Sequence, residues 1–295
     1  MQALWMVWGS FFFATMAVGI KIASVDFNLF ELMFYRGLVS VIFMALVMRA
    51  RGTPLRTPVP MMHAWRTLIG VLSLGAWFYA IAHLPLATAM TLNYMSGVWV
   101  AAFIVGGALL YGQVQRQGSL LATVLMGFAG VVMMLRPTLD QNQLFAGLIG
   151  LLSGLGSALA YLQVTALGKV GEAEGRTVFY FSLGCAVVGL VGIAFAGLTP
   201  WTAVRWQTSI WLIPIGVLGA LGQWCITRAY SRGSTLLVAN LQYAGIVFSA
   251  FYGLVLFGDQ IPLLGWAGMG VIVVSGLLAT VLRTRALPGT PAEVP

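Results

Sequence analysis

The stretch LGAWFYAIAHLPLATAMTLNYMSGVW, residues 74–99, is apolar enough to lie in lipid, yet it carries Trp77, Thr88, Asn93 and Trp99 where lipid alone would ask for leucine. Its first part returns downstream as LGQWCITRAYSRGSTLLVAN, residues 221–240. Leu74 answers to Leu221, Trp77 to Trp224, Thr88 to Thr235 and Asn93 to Asn240, each 147 residues apart. Matches between Leu and Gly arise from composition, but Trp, Thr and Asn held at one spacing point to a duplicated unit. Gly9-Ser10 meets Gly156-Ser157 and Phe34 meets Phe181 at the same spacing.

The surroundings say what the unit is made of. Hydrophobic residues make up 60% of the 295-residue chain and charged residues only 7%, with a mean hydropathy of +0.95. Soluble domains carry about 25% charged residues to keep their surfaces wet. The chain is therefore read as an all-α integral membrane protein. Its apolar runs reach about 20 residues, the length a helix needs to cross roughly 30 Å of hydrocarbon, and they lack the alternation of a membrane barrel. A formal charge of +8 invites nucleic acid as a partner. The basic residues nevertheless stand singly or in pairs at the ends of apolar runs with no basic face, so nucleic acid is excluded and lipid expected. Cys185 and Cys225 lie inside apolar segments and read as small hydrophobes. Gln2 to Ala23 lacks a basic n-region and is too long for a signal-peptide core, so it reads as the first membrane helix.

Ten spans emerge, at about 2–24, 29–48, 65–84, 87–111, 119–135, 144–167, 177–197, 210–230, 234–257 and 263–282. The longest polar connection, Arg49 to Arg66, contains Pro54, Pro58 and Pro60. Basic residues near helix ends stay on the cytoplasmic side. With the N-terminus inside, that side takes Arg49, Arg51, Arg56, Arg66, Arg116, Lys169, Arg176, Arg228, Arg232, Arg283 and Arg285. The other side takes Lys21, Arg36, Arg136 and Arg205. Both termini are then cytoplasmic. The spacing maps spans 1 to 5 onto spans 6 to 10, and because five is odd the second copy enters the membrane the other way up. The expected domains are a first five-helix repeat over 1–139, an inverted second repeat over 140–285, and a disordered Pro-rich tail over 286–295. Inverted repeats of this kind place a substrate site near the midplane between the halves and rock around it.

The ends of the halves carry a resemblance. Leu110-Tyr111-Gly112-Gln113 followed by Gly127 to Gly130, and Leu256-Phe257-Gly258-Asp259 followed by Gly270 to Gly276, resemble the signature closing each half of an EamA-domain transporter of the drug/metabolite transporter superfamily. That family prefers Glu after the glycine, where this chain has Gln113 and Asp259. The resemblance implies a bacterial inner-membrane exporter whose pathway runs between the halves, lined by the first, third and fourth helices and their counterparts. Within the family the chain looks like exporters of aromatic amino acids and methyl viologen. This implies export of neutral and aromatic amino acids by alternating access. The alternative is a proton-coupled or potential-driven exporter of hydrophobic cations and drugs.

A pathway needs polar groups that replace hydration and aromatic faces for flat or cationic substrates. On the fourth span Thr88, Thr91, Met95 and Trp99 share one helical face and are the expected lining; the repeat sends Met95 to Gln242. Asn93 and Asn240 lie off that face, and helix-to-helix hydrogen bonding stands open beside a pathway role. Trp8 and Phe12 on the first span and Tyr161 on the sixth are further candidates, with the interfacial aromatic belt as the alternative for Trp8 and Tyr161. Tyr79 and Gln223 add groups on the third and eighth spans. Lys21, Glu31, Arg36 and Arg228 lie near helix ends, where long side chains snorkel. The functional alternative makes Arg36 or Arg228 a gate or carboxylate clamp. Pro85 and Pro214 are hinge candidates because each removes a backbone donor, and Pro85 reads equally well as a plain turn proline. Glycines at 147, 150, 154 and 156, and at 216, 219 and 222, suit close helix packing.

No Asp or Glu reaches the middle of any span, which favours facilitated diffusion by a uniporter over obligate proton antiport. His63 sits in a loop and His83 at a membrane edge, without paired aspartates or HExxH, so no catalytic residue, metal site or cofactor is expected. The expected partners are a small-molecule substrate and lipid, with a monomer as the working unit.

Overall fold

A computed structural model describes residues 4–100, 141–232 and 241–286, together with 102–103, 122–123, 125–127, 129–130, 133 and 238. Among these residues there are helices and no strands. The elements are α1 (Trp5–Ala23), α2 (Leu29–Ala50), α3 (Pro60–His83), α4 (Leu86–Tyr94), α5 (Gln141–Lys169), α6 (Glu174–Ala196), a single turn α7 (Trp206–Ser209), α8 (Leu212–Arg232), α9 (Ala244–Tyr252) and α10 (Leu263–Ala286). A π-helical turn, Gly253–Phe257, follows α9, and helical pieces occupy the described residues between 122 and 133. Six helices are long and apolar enough to cross a membrane, and shorter apolar helices cover Ala244–Phe257 and Leu263–Ser275. The signature around Gly112 and Gln113, and also Thr235, Asn240 and the terminal tail, lie outside the described residues.

Local chemistry sets the helix ends. Asn28 Oδ1 accepts from the backbone N–H groups of Phe30 and Glu31, both at 3.0 Å, while Glu31 Oε2 accepts from Asn28 N at 2.8 Å. This is a reciprocal capping box that opens α2. Glu31 also accepts from Thr199 N and Oγ1, each at 2.7 Å. It is fully buried as part of a cap and does not snorkel. Proline at 60 begins α3 at its first helical position, where a missing N–H costs nothing. The helix therefore starts five residues before the expected 65. Pro214 lies in the first turn of α8, where the same reasoning makes it a start residue and not a hinge. Gly258 takes φ +61 after the π-turn, a left-handed conformation that glycine adopts without strain; it turns the chain so that Asp259 faces α1 and α4.

Packing follows the small residues. A Cβ on Gly37 of α2 would lie 2.8 Å from Ser182 O and Ala186 Cα of α6, and one on Gly189 of α6 would lie 2.7 Å from Phe34 Cα of α2. On Gly154 of α5 it would sit 3.1 Å from Asn93 O of α4. Backbones approach this closely because lipid supplies no hydrophobic drive between helices, so dispersion and hydrogen bonds hold them together. The main pairings are α2 with α6, α3 with α5, α1 with α8, α2 with α8, α3 with α6, α1 with α9, α4 with α5 and α4 with α9. Cys185 and Cys225 are free and buried, as small apolar groups would be.

Candidate functional site

The pairing of α3 with α5 and of α1 with α8 leaves a cavity of about 40 Å³ where these helices meet α4 and α6. Its wall includes Phe13, Ser73, Trp77, Asn93, Ser157, Tyr161, Phe181 and Gln223, together with Arg66. A polar ladder runs along one side. Ser73 Oγ donates to Ser153 O at 2.8 Å and lies 2.9 Å from Ser157 Oγ, while Asn93 Nδ2 donates to Ser153 Oγ and Ser157 Oγ, both at 3.0 Å. Asn93 thus joins α4 to α5 and also lines the cavity.

Arg66 supplies the charge. It lies on the second turn of α3, 2% exposed, with its Nε and Nη1 buried and without hydrogen-bond partners among the described residues. Its Cζ stands 3.8 Å from the centre of the Phe181 ring. Arg36, 1% exposed, has its Cζ 5.3 Å from the same centre and donates from Nη1 to Cys185 Sγ at 3.5 Å. By sequence Arg66 belongs to the end of the polar connection, among the basic residues that set topology. The early start at Pro60 carries it into the helix instead.

Tyr161 and Gln223 line this cavity. Tyr161 stacks on Tyr230 at 4.9 Å, and Tyr230 Oη donates to Gln242 Oε1 at 3.3 Å. Gln242, fully buried, donates to Tyr94 O and Ser96 Oγ, so it ties α8 to α4 beside the cavity without lining it. Phe13 lines the cavity where Phe12 was expected; Phe12 is half-buried and packs on Phe11 and Trp8. Trp8 is 56% exposed on the outer face of α1, away from the cavity. Thr88, Thr91 and Met95 are buried among helices away from the cavity wall, Thr91 Oγ1 donating back to Ala87 O at 2.7 Å. Trp99 is half-buried against the core. Tyr79 stacks on His83 at 4.1 Å at the far end of α3. Arg228 lies over Trp5 at 4.8 Å near the end of α8.

Clasps close both ends of the bundle. At the end where α1 finishes, Lys21 Nζ donates to Asp259 Oδ1 at 3.3 Å and to Leu84 O at 3.2 Å, and Leu86 N donates to Asp259 Oδ2 at 2.8 Å. Asp259 thereby satisfies the first orphan N–H of α4 and complements its positive dipole end. Pro85 lies between Leu84 and Leu86, at the centre of this clasp. Beside it Asp26 accepts from Arg205 and Thr208, and these two donors hold its carboxyl down at about 2. At the opposite end His63 Nε2 lies 3.1 Å from Glu172 Oε1, Arg176 pairs with Glu172 at 2.7 Å, and Arg232 pairs with Glu174 at 2.6 Å. Every acid among the described residues is therefore engaged away from Arg66 and Arg36.

Known proteins place this architecture. No family model matches the chain. It is 34% identical over 280 residues to the pseudopaline exporter CntI of Pseudomonas aeruginosa, covering 92% of this chain and 93% of that protein. It is 27% identical to an uncharacterized transporter of Helicobacter pylori over 90% of each chain. To a riboflavin transporter of Vibrio cholerae it is 27% identical over 290 residues, 96% of this chain and 94% of that one. A protein of known crystal structure superposes with a TM-score of 0.69 over 97% of this chain and 99% of that one at 19% identity, a likeness of fold. By sequence, fold and a polar cavity inside apolar helices, the chain belongs to the family of multi-pass membrane transporters that includes the pseudopaline exporter CntI.

Proposed function

We propose that the chain is a bacterial inner-membrane exporter of carboxylate-bearing small molecules, neutral and aromatic amino acids among them. The observation that carries this is the small cavity between the helices with Arg66 in its wall. The exporter works by alternating access as a monomeric uniporter, with both termini cytoplasmic. Its ten helices form two inverted halves, 1–139 and 140–285. The helix pairing supports that arrangement. Exchanging α1 with α5, α2 with α6, α3 with α8 and α4 with α9, as the 147-residue spacing requires, turns the α3–α5 pair into α8–α1. It likewise turns α2–α8 into α6–α3 and α1–α9 into α5–α4, and it leaves α2–α6 and α4–α9 unchanged.

A cavity of about 40 Å³ admits a few waters at roughly 10–15 Å³ each, whereas small-molecule sites occupy about 300–1,000 Å³. Clasped at both ends, this conformation is an occluded one, and transport requires the clasps to open one at a time. Pro85 serves as the hinge at the Lys21–Asp259 end. The resemblance to exporters of aromatic amino acids and methyl viologen leaves hydrophobic cations as a rival substrate. An uncompensated buried guanidinium repels them, so carboxylates fit better.

Purified protein in liposomes is expected to counterflow labelled amino acids without a proton gradient. Flux of a quaternary cation with no flux of any amino acid would sink the substrate, and strict dependence on a pH gradient would sink the mechanism.

A further inference from the structure

Two guanidiniums within 5.3 Å of one ring centre, both nearly sealed from solvent, present an unbalanced charge in the middle of an apolar bundle. An unpaired ion there is expensive and persists where function needs it. The five acids among the described residues all bond elsewhere: Asp26 to Arg205, Glu31 to Asn28 and Thr199, Glu172 to His63 and Arg176, Glu174 to Arg232, and Asp259 to Lys21. The space for the arginines is built. A Cβ on Gly70 would run into Arg66 Nη1 and lie 3.0 Å from the Phe181 ring, and one on Gly219 would lie 2.9 Å from Arg36 Nε.

We infer that Arg66, backed by Arg36 across Phe181, is a carboxylate-binding site, and that the preferred substrates are small organic acids carrying net negative charge. A zwitterion satisfies Arg66 with its carboxylate but brings an ammonium for which the cavity wall holds no acid. An acid whose amine is absent, acylated or otherwise uncharged neutralises the site without that cost. Such a substrate also explains how a carrier with no acid in its cavity drives export. An inside-negative membrane potential expels an anion to about fifty-fold accumulation per charge for each 100 mV. This inference rests on the cavity being the transport site.

Leucine, N-acetylleucine and leucinamide share a side chain and differ in net charge, and Trp77 in the cavity wall reports their entry by fluorescence. The detergent-solubilised protein is expected to bind N-acetylleucine at least tenfold more tightly than leucine and to show no response to leucinamide. Arg66→Gln loses that preference and Arg66→Lys retains part of it. In liposomes, an inside-negative valinomycin potential accelerates N-acetylleucine efflux and leaves leucine efflux unchanged. Equal or tighter binding of leucine or leucinamide by the wild-type protein overturns the inference, with or without a foldable variant, and leaves the transport reading intact. Anion-selective binding without counterflow of any of the three leaves the site standing and overturns the transport reading.

Discussion

Replacing Asp259 by Asn tests the clasp that closes the bundle at the end of α1. The carboxylate meets Lys21 Nζ at 3.3 Å with side chains 18% and 12% exposed, and it accepts from Leu86 N at 2.8 Å. At this separation and an effective dielectric of about 20 the ion pair attracts by about 5 kcal/mol before desolvation. Desolvation and side-chain ordering reduce exposed pairs to about 0.2–1 kcal/mol, and this largely buried pair, whose desolvation cost offsets most of its stronger attraction, nets about 1 kcal/mol at the top of that scale. The charge-assisted bond to Leu86 contributes about 1.5–3 kcal/mol, of which the neutral bond an Asn oxygen still makes retains about 1 kcal/mol. The substitution therefore removes about 1.5–3 kcal/mol from the clasped state, a shift of about 10- to 150-fold in the opening equilibrium. Thr88, 4% exposed and half a turn beyond Leu86 in α4, provides the reporter. With both native cysteines replaced by serine, Thr88→Cys is expected to resist a membrane-impermeant maleimide. In the Asp259→Asn protein it reacts at least about tenfold faster. Labelling rates within twofold of one another would refute the clasp.

Three further outcomes follow from the fold. Gly37→Ala forces a Cβ onto the α6 backbone at Ser182 and Ala186, which cannot swing aside as a side chain does; a loss of about 1–3 kcal/mol is expected, read as a lower melting temperature in detergent. Glu31→Gln weakens the α2 capping box and the bonds to Thr199, costing about 1–2 kcal/mol by the same measurement. Asp26 has its carboxyl lowered to about 2, so its contribution is complete above the unfolded-state value near 4 and disappears as pH falls from about 4 to 2. The melting temperature of the wild-type protein is expected to fall more steeply across that interval than that of Asp26→Asn.

Helices were legible in the sequence because apolar length alone identifies a membrane span. The expected 29–48, 144–167 and 177–197 appear as α2, α5 and α6 with a few residues added at the ends. Which face of a helix meets the cavity was harder to read, because lipid and protein interior are equally apolar and the 3.6-residue contrast that orients a soluble helix is lost. Phe12 and Phe13 look alike to such a reading, and only packing separates them. On α4 the regular helix breaks into a turn at Met95, so a face drawn at ideal spacing through Thr88, Thr91, Met95 and Trp99 missed the cavity while Asn93 reached it. Arg66 was hidden by a boundary: as the last residue of the polar connection it passes for a topology signal, and a helix that starts at Pro60 buries it. The capacity of proline to begin a helix was the signal that would have found it.

Alternating access requires the one cavity to serve both membrane faces in turn. Lys21→Cys with Asp259→Cys, in a chain free of native cysteines, allows the clasp to be locked with a short bis-methanethiosulfonate in liposomes. Counterflow of labelled N-acetylleucine and of amino acids is predicted to stop on cross-linking and to return when a reductant releases the bridge. Undiminished counterflow through the cross-linked protein would contradict it.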